Sequence, residues 1–287
     1  MTNVKDFFDK FPTDDACLDH LMETRYGKEF ECPNCKRNAK FYRLKKQPVY
    51  LCQWCGWHIH PMAGTIFQDS HTPLQKWFYA IYLFTTTRHG VAAKEVQRQI
   101  SVTYKTAWRM CHQIRQYMAE VDGDDALGGT VEVDETYVGG IKKGFGRGKG
   151  VYMTNKTVVF GMVERNGDVM TRVVPNAQKK TLYPIIKENV KQFSKIMSDD
   201  SRSYDNISKG PKGYIHQSVD HTHKEYVRGN AHINSIEGFW SQLKRSIKGT
   251  HIHVSKRHMP KYLGEFEFRY NMRSTPYLMF DRLLKAF

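Results

Sequence analysis

Two Cys-x-x-Cys pairs constrain the fold of the first part of the chain more than any other feature. The four thiols belong to Cys32, Cys35, Cys52 and Cys55. Two such pairs, separated by a stretch that can form strands, are typical of a tetrahedral four-thiolate zinc site. Gly56 follows the second pair and permits a tight turn of the backbone around the ion. Because so small a unit buries little surface, we expect one structural Zn²⁺ to supply most of its folding free energy.

The insert between the cysteine pairs is predicted to complete a zinc ribbon. Phe41–Arg43 and Val49–Leu51 have the composition of short strands. The alternative for a Cys-x-x-Cys pair is a redox role. Several lysines and arginines make this region basic, so whether the ribbon also contacts DNA stays open. The remaining thiols, Cys17 and Cys111, lack a second cysteine at ligand spacing and are expected to be buried apolar residues.

The charge of the chain favours a polyanionic partner. Its 287 residues include 44 Lys and Arg but 29 Asp and Glu, for a net charge of +15. Such an excess is typical of proteins that bind nucleic acid. A basic membrane-binding protein is the competing class, but the mean hydropathy is −0.61 and the most apolar run, Trp77–Phe84, is too short to cross a bilayer. Residues 1–16 lack the apolar run of a secretion signal, so we expect a cytoplasmic protein.

Residues 71–121 are predicted to form a helix-turn-helix DNA-binding domain. Val91–Ile100 has the pattern of a short helix, Ser101 and Val102 that of a tight turn, and 103–121 that of a longer helix. An ordinary helical hairpin is the alternative. Base and phosphate contacts are usually made near the start of the second helix, where the candidates are Tyr104, Lys105, Thr106 and Arg109.

The rest of the chain is predicted to be an RNase H-like α/β catalytic domain with a mixed sheet. Strands, a helix and a further strand that ends in aspartate fit this core. The predicted elements are strands Thr130–Val138, Lys156–Glu164 and Val169–Val174, a helix over 178–193, a strand Ile196–Ser198 and a strand over 212–218. We therefore predict a multidomain α+β protein with N-terminal helices over 1–27, a zinc ribbon over 28–70, the helix-turn-helix domain over 71–121, a glycine-rich linker over 122–129 and the catalytic domain over 130–287.

A glycine-rich basic loop lies between the first two strands of this domain. It does not match a phosphate-binding P-loop, because its last Gly-Lys pair is followed by Gly150 and not by Ser or Thr. We predict a basic hairpin tip that becomes ordered on DNA through Lys142, Lys143 and Arg147. A solvated, disordered loop is the alternative.

The segment from His232 to Arg245 is predicted to be a helix with two distinct faces. Its apolar positions recur at helical spacing and are Ile236, Trp240, Leu243 and Ile247. A polar stripe recurs at the same spacing and contains Glu237, Ser241, Lys244 and Lys248. A surface ion pair between Glu237 and Lys244 is the simplest interpretation. The alternative is a metal-binding glutamate followed by a lysine that holds DNA.

Acidic residues of the predicted catalytic domain can converge on divalent cations. Strand alternation places Asp134 on the same face as Glu132. Asp199 and Asp200 point in opposite directions, so only one of them can join Asp134 and the helical Glu237 in one site. Cleavage and transfer of phosphodiesters use two divalent cations about 4 Å apart, and carboxylates suit Mg²⁺, for which Mn²⁺ can substitute. Each carboxylate taken alone is more simply a surface residue.

Three motifs together resemble those of the DDE transposases of bacterial insertion sequences. They are Val-Asp-Glu-Thr-Tyr-Val-Gly-Gly from Val133 to Gly140, Ser198-Asp199 followed by Tyr204, and His-x-Asn-Ser-Ile-Glu-Gly-Phe-Trp-x-x-Leu-Lys-Arg from His232 to Arg245. More narrowly, the chain is similar to the zinc-ribbon group related to eukaryotic Merlin elements. The resemblance extends over about residues 28–272.

This resemblance implies an RNase H-like fold, two Mg²⁺ ions per active site and activity on the ends of a mobile element. At the matching positions it makes Asp134, Asp199 and Glu237 the metal-binding catalytic triad. It also selects Asp199 over Asp200, because only Asp199 has the required spacing to Tyr204.

The helix that carries the glutamate also supplies candidate contacts to DNA. Lys244 follows Glu237 by seven residues and matches the basic follower of the family, so the resemblance implies that it contacts the DNA end. Asn234 and Arg245, on the same helix, are further candidates. Because two DNA ends must be brought together, we expect a homodimer or a higher assembly on DNA.

The predicted function is that of a DNA transposase. The helix-turn-helix domain binds terminal inverted repeats, with the zinc ribbon as a further candidate for this binding, and the triad hydrolyses the strand end and joins the 3′-hydroxyl to target DNA. One rival is a zinc-ribbon regulator or domesticated transposase that binds DNA without cutting it; an intact triad argues against this class. A second rival is a nuclease of the same fold that has no strand-transfer step, which its reaction products would reveal.

Overall fold

Residues from both ends of the chain meet in the first of two structural units. The computed structural model describes residues 3–45, 47–122, 125–139, 156–219 and 229–285. The first unit comprises Met1–Thr87, Val91–Tyr117 and Thr275–Phe287, and the second comprises Arg88–Gly90 and Met118–Ser274. The domain boundaries stay predictions, but the C-terminal segment, which we placed within 130–287, clusters with the first unit. In the described ranges, no helix has the length and apolar character that crossing a membrane requires.

Helices around an aromatic core make up most of the first unit. They are α1 (Val4–Lys10), α2 (Asp14–Tyr26), α3 (Leu74–Thr86), α4 (Ala93–Ile100), α5 (Tyr104–Val121) and, at the end of the chain, α9 (Met279–Lys285). Helix α2 begins after Thr13, whose Oγ1 accepts a hydrogen bond from a backbone N–H of the first turn at 3.2 Å, as an N-cap does. Phe7, Phe11 and Phe78 are fully buried, and Phe280 of α9 packs against all three.

Four short strands form the zinc ribbon as an antiparallel sheet. They are β1 (Glu29–Glu31), β2 (Asn38–Arg43), β3 (Tyr50–Cys52) and β4 (His58–Ile59), paired in that order. The two predicted strands correspond to β2 and β3, whereas β1 and β4 are too short for alternation to indicate them. Hydrogen bonds from the Tyr50 hydroxyl to Asp19 and from the Arg43 guanidinium to Asp15 hold this sheet against α2.

The predicted short helix, turn and longer helix are present as α4 and α5. Helix α4 begins at Ala93, two residues after the predicted start. Ser101 adopts a φ of +51° and turns the chain. The Oγ1 of Thr103 then accepts a hydrogen bond from the N–H of Thr106 at 3.2 Å, which caps the first turn of α5. Apolar side chains of both helices are buried, among them Val96, Ile100, Ala107, Met110 and Cys111.

The second unit contains a mixed sheet between two helical layers. Its strands are β5 (Thr130–Val138), β6 (Thr157–Glu164), β7 (Val169–Val174), β8 (Lys195–Asp199) and β9 (Ile215–Val219). They lie in the order β7-β6-β5-β8-β9; β7, β6 and β5 are antiparallel, whereas β5, β8 and β9 are parallel. Helix α6 (Lys179–Asn189) packs on one face, and α7 (Asn234–Ser246) and α8 (Met259–Asn271) pack on the other. The predicted mixed sheet is therefore confirmed.

Helix α6 ends at Asn189, four residues earlier than the sequence pattern predicted. Val190 adopts an extended conformation and forms a parallel bridge with Leu127. The N–H of Lys191 donates to the Leu127 carbonyl at 2.8 Å, and that of Leu127 to the Asn189 carbonyl at 2.9 Å. Pairing with a segment more than sixty residues away ends the helix, and local periodicity carries no signal of it.

Gly264 of α8 lies close to Ala119 within the second unit, so a larger side chain at position 264 is expected to destabilise the protein. A Cβ atom on Gly264 would lie 2.2 Å from the Ala119 Cβ, so Gly264→Val must displace the packed backbone. We expect the free energy of unfolding to fall by about 2–3 kcal/mol. Urea-induced unfolding measures it, with Gly238→Ala in α7 as the control. An added Cβ on Gly238 meets nothing within 4 Å, so this variant is expected to be neutral or more stable by up to about 1 kcal/mol.

Candidate active site

The four cysteines of the ribbon bring their thiols within 4.8 Å of one another. The Sγ atoms of Cys32 and Cys55 lie 3.7 Å apart, and those of Cys35 and Cys52 lie 3.9 Å apart. Zinc bound to four thiolates at about 2.3 Å requires sulfur atoms about 3.8 Å apart. The two knuckles turn in the same way, since the residues after their second cysteines, Lys36 and Gly56, have φ values of +58° and +68°. The site therefore fits a structural zinc ion.

Two of the candidate carboxylates, Asp134 and Asp199, lie on neighbouring parallel strands, and the charge of Asp199 affects the pKa of Asp134. The last registered pair of β5 and β8 is Glu132 with Met197, an offset of 65 residues (197 − 132). The same offset, extended by two residues, aligns Asp134 with Asp199 (199 − 134 = 65) at the carboxyl end of β8. Alternate residues of a strand share a face and neighbouring strands lie about 4.8 Å apart. Asp134 and Asp199 thus project from the same face of the sheet, which is the face that α7 covers.

Burial gives Asp134 an unusual tendency to keep its proton. It raises the pKa of this carboxyl to about 7, and the negative charges of Glu135 and Asp199 act in the same direction. The indole N–H of Trp240 donates to Asp134 Oδ2 at 3.0 Å and partly opposes the shift. A cation at this position would favour the ionised form, so the surroundings of Asp134 are compatible with a metal ligand.

Glu135 projects from the opposite face of β5 and has a different partner. The hydroxyl of the fully buried Tyr204 donates to its Oε2 at 2.6 Å. Burial raises the pKa of Glu135, and the charge of Asp199 adds to this effect. The sequence motif gave Tyr204 significance only through its spacing from Asp199, and no role was predicted for Glu135. The odd–even alternation along β5 was the available signal that Glu135 faces the α6 side.

A third carboxylate of β5, Glu132, holds the beginning of α7. Its side chain is fully buried and accepts hydrogen bonds from the backbone N–H groups of Ser235 at 2.7 Å and Ile236 at 3.1 Å. The residue before the helix, Ile233, offers no side-chain cap, so Glu132 satisfies donors that a helix N-terminus leaves open. Arg165 donates from Nε to Glu132 at 2.8 Å and supplies the compensating charge.

A second contact between α7 and β5 lies one turn further along the helix. Trp240, which binds Asp134, packs over Gly161 of β6, the residue paired with Asp134. A Cβ atom on Gly161 would lie 2.5 Å from the Trp240 ring and 3.0 Å from the Ile236 side chain. The glycine therefore permits the indole to reach Asp134, and the helix is fixed to alternate residues of one strand.

Glu237 occupies the exposed side of the first turn of α7, three residues before Trp240. In the described part of the chain, only the four cysteines form a group of three or more potential ligands whose donor atoms all lie within 4.8 Å of one another. A site with two cations does not require such a compact group. Ions about 4 Å apart with ligands at about 2 Å spread the donor oxygens over about 8 Å.

The two faces predicted for α7 are confirmed. Its apolar stripe is buried, with Ile236, Trp240, Leu243 and the following Ile247 each at most 7% exposed. Its polar stripe and the flanking candidates for DNA contact are exposed, namely Asn234, Glu237, Ser241, Lys244, Arg245 and Lys248. The exposed face of α7 therefore carries the basic side chains of Lys244 and Arg245 as well as the carboxylate of Glu237.

Comparison with known families decides which family the chain belongs to. A family model described as an ISXO2-like transposase domain matches residues 126–271, which is 146 of 287 residues (271 − 126 + 1) and includes Asp134, Asp199 and Glu237. The chain belongs to this transposase family. A second model, described as a transposase zinc-ribbon domain, matches residues 12–58 of the transposase.

Relatives of the transposase agree with this assignment. This chain is 28% identical over 275 residues to a Halobacterium salinarum protein described as an uncharacterized protein in transposable element ISH50. The match covers 89% of this chain and 90% of the relative. The chain is 38% identical over 103 residues to an uncharacterized transposase-like protein of Haemophilus influenzae, a match that covers 36% of this chain and 80% of the relative. The predictions of transposase family membership and of a zinc ribbon are confirmed.

The transposase exposes three of its four predicted helix-turn-helix contacts at the start of α5. Tyr104, Lys105 and Arg109 are exposed, whereas Thr106 is half-buried and its hydroxyl lies 3.0 Å from that of Thr103. Trp108, which is 40% exposed and lies one turn after Tyr104, was not among the predicted contacts. The signal was present, because the neighbouring Ala107 falls on the buried stripe of α5 and Trp108 does not. The predicted contacts Lys142, Lys143 and Arg147 lie outside the residues that the structure describes.

The buried ion pair at the start of α7 predicts a large stability defect in Arg165→Met. This change leaves the fully buried charge of Glu132 without its cation, so we expect the free energy of unfolding to fall by about 3 kcal/mol. Arg172→Met is the matched control, because the Arg172–Glu188 pair is 51% and 65% exposed at its two side chains and is expected to contribute about 0–1 kcal/mol. Chemical unfolding of both variants tests this; equal losses would contradict an anchoring role for Arg165.

The raised pKa of Asp134 predicts a pH-dependent stability in the absence of magnesium. An ordinary aspartate ionises near pH 4, so between about pH 4 and 7 the native state binds a proton here that the unfolded chain lacks. The free energy of unfolding is therefore expected to fall as the pH rises through this window, by up to about 1.4 kcal/mol per pH unit from this group. Asp134→Asn is expected to remove this contribution. Urea unfolding at several pH values compares the two slopes, and identical slopes would contradict the raised pKa.

Proposed function

We propose that this transposase binds the ends of its insertion sequence, cleaves the DNA there and joins the released 3′ end to target DNA. The observation that carries the proposal is the alignment of Asp134 with Asp199 on paired parallel strands, beneath the helix that presents Glu237. We further propose that the second unit has an RNase H-like fold. Its mixed sheet between α6 and the pair α7 and α8 supports this assignment.

The three carboxylates suit a pair of Mg²⁺ ions. Oxygen ligands and few protein contacts are typical of Mg²⁺ in sites of phosphoryl transfer, and Mn²⁺ accepts the same ligands. The raised pKa of Asp134 supports this choice, because a cation would compensate the charge that burial and Asp199 oppose. When bound, such ions activate the attacking oxygen and stabilise the leaving oxygen.

The residues of the chain hold and orient the groups that react. Trp240 fixes the orientation of the Asp134 carboxylate through its indole N–H. In the first step water attacks the phosphorus at the transposon end and the bond to the 3′ oxygen breaks. In the second step that 3′-hydroxyl attacks a target phosphodiester, and the 3′ oxygen of the target leaves. The exposed side chains of Asn234, Lys244 and Arg245 contact the DNA end beside Glu237.

The terminal inverted repeats are recognised by α4 and α5, which act as a helix-turn-helix. Tyr104, Lys105, Thr106 and Arg109 at the start of α5 make the contacts to bases and phosphates, and the exposure of three of them supports this role. The net charge of +15 supports strong phosphate contacts. Because both ends of the element must be joined, the active form is a homodimer or a higher assembly on DNA.

Neutralising any carboxylate of the triad is expected to separate DNA binding from catalysis. With labelled DNA from the ends of the element and Mg²⁺, the variants Asp134→Asn, Asp199→Asn and Glu237→Gln should retain binding but cleave at less than about 1% of the wild-type rate. The wild type should give shortened strands and larger joined products. A gel assay measures both binding and products.

The neighbour of Asp199 provides the control for this experiment. Asp200 is exposed and follows the end of β8, so Asp200→Asn should cleave like the wild type. Cleavage by Asp199→Asn at the wild-type rate would refute the assigned triad. Shortened strands without joined products would indicate a nuclease, and end binding without any product would indicate a protein that binds DNA but does not cut it.

A further inference from the structure

The zinc ribbon has an exposed face that the proposed function does not use. Tyr42 of β2, Leu51 of β3 and His58 of β4 are paired across the sheet and so share one face. Lys40 lies on the same side of β2, two residues before Tyr42. We call these four residues the ribbon face. Their neighbours along the strands, such as Arg43 and Tyr50, point to the opposite side and bind α2.

Two large aromatic rings lie near the ends of β2, namely Tyr42 on the ribbon face and Trp54 beside the first residue of the strand. Tyr42 and Trp54 are each 58% exposed. The indole N–H of Trp54 donates to the carbonyl of Asn38 at 3.2 Å, which holds this ring at the first residue of β2. At about 3.3 Å per residue, the four-residue separation of Asn38 and Tyr42 is about 13 Å, with Lys40 between them. Exposed aromatic rings held in place by the backbone are typical of binding surfaces.

The charge around the ribbon face favours a polyanion over a protein of neutral surface. Residues 28–60 contain seven Lys and Arg and two Glu, a net charge of +5 (7 − 2). A zinc ion with four thiolates contributes −2, so about +3 remains in the metal-bound ribbon. Lys40 forms an ion pair with Glu29 at 3.4 Å, in which both side chains are at least half exposed. Such a pair is weak, so a phosphate group can compete for the lysine.

We propose that the ribbon face binds single-stranded DNA, with unpaired bases stacked on Tyr42 and Trp54 and the backbone held by Lys40. Stacking needs the flat face of a base, which a duplex hides between its neighbours, and an exposed antiparallel sheet with aromatic side chains can stack two or three bases in this way. We choose DNA because the family is one of transposases. The inference does not depend on the catalytic triad, and it gives the ribbon a role beyond recognition of double-stranded ends.

The test compares single-stranded and double-stranded DNA on the full-length, zinc-loaded protein. Fluorescence anisotropy measures the affinity for a labelled oligothymidylate and for a labelled duplex of equal length at one salt concentration. Tyr42→Ala and Trp54→Ala should each weaken binding of the single strand by about tenfold or more, because loss of one stacked ring costs about that factor. Their affinity for the duplex should stay within about twofold of the wild type.

Matched variants separate stacking from other effects. Tyr42→Phe and Trp54→Phe keep a ring and should retain single-strand binding within about threefold. Tyr277→Ala removes an aromatic residue that is also 58% exposed but lies outside the ribbon, and it should change nothing. Anisotropy detects binding without any cleavage step, so a failure of the proposed catalysis would not affect this result. Zinc content, measured for each variant, confirms that the ribbon is intact.

Several results would overturn the proposal. They are no binding of the single strand by the wild type, an equal loss of single-strand and duplex binding in the alanine variants, and a higher affinity for the corresponding RNA. If Trp54→Ala releases zinc, the variant Trp54→Leu is tested in its place, because leucine keeps an apolar side chain but has no ring. Retention of single-strand affinity in zinc-loaded Trp54→Leu and Tyr42→Ala would also refute stacking.

Discussion

The position of α7 on the sheet depends on a buried carboxylate. Glu132 lies in the interior, where an isolated charge would be very costly. Two backbone N–H groups of α7 and the guanidinium of Arg165 compensate it. Arg165 also donates to the carbonyls of Asn230 and His232, so the chain that leads into the helix is held by the same side chain. These contacts fix both the height and the rotation of α7, and with them the position from which its exposed face presents Glu237.

Strand β5 carries three carboxylates within four residues, and the protein compensates them differently. Glu132 is compensated by the guanidinium of Arg165 and by backbone N–H groups at the start of α7. Glu135 accepts a hydrogen bond from Tyr204 on the other face of the sheet. Asp134 has the indole of Trp240, which does not offset the burial that raises its pKa to about 7. Of the three, Asp134 is therefore the group whose ionised form would gain most from a bound metal ion. The electrostatics of the whole strand thus support the role that we propose for Asp134.

Features that arise from short sequence spacing were predictable. The two cysteine pairs predicted the ribbon because zinc coordination imposes its own geometry on four thiols, whatever surrounds them. The apolar stripe of α7 predicted which face is buried, because side chains one turn apart on a helix share a face. Strand alternation likewise placed Asp134 on the face of Glu132. The end of α6 was not predictable, because it is set by the distant bridge between Val190 and Leu127.

The sequence by itself determined the zinc ribbon, the order of strands and helices, and the motifs that identify the transposase family. Each of these depends on residues close together in the chain, where spacing dictates geometry. Only the tertiary structure decided that Asp134 and Asp199 are neighbours, that Trp240 binds Asp134 across Gly161, and that Arg165 and Glu132 hold α7. These contacts join residues far apart in the chain, and they depend on strand register and helix rotation, which are set by the packing of the whole unit and leave no local pattern in the sequence.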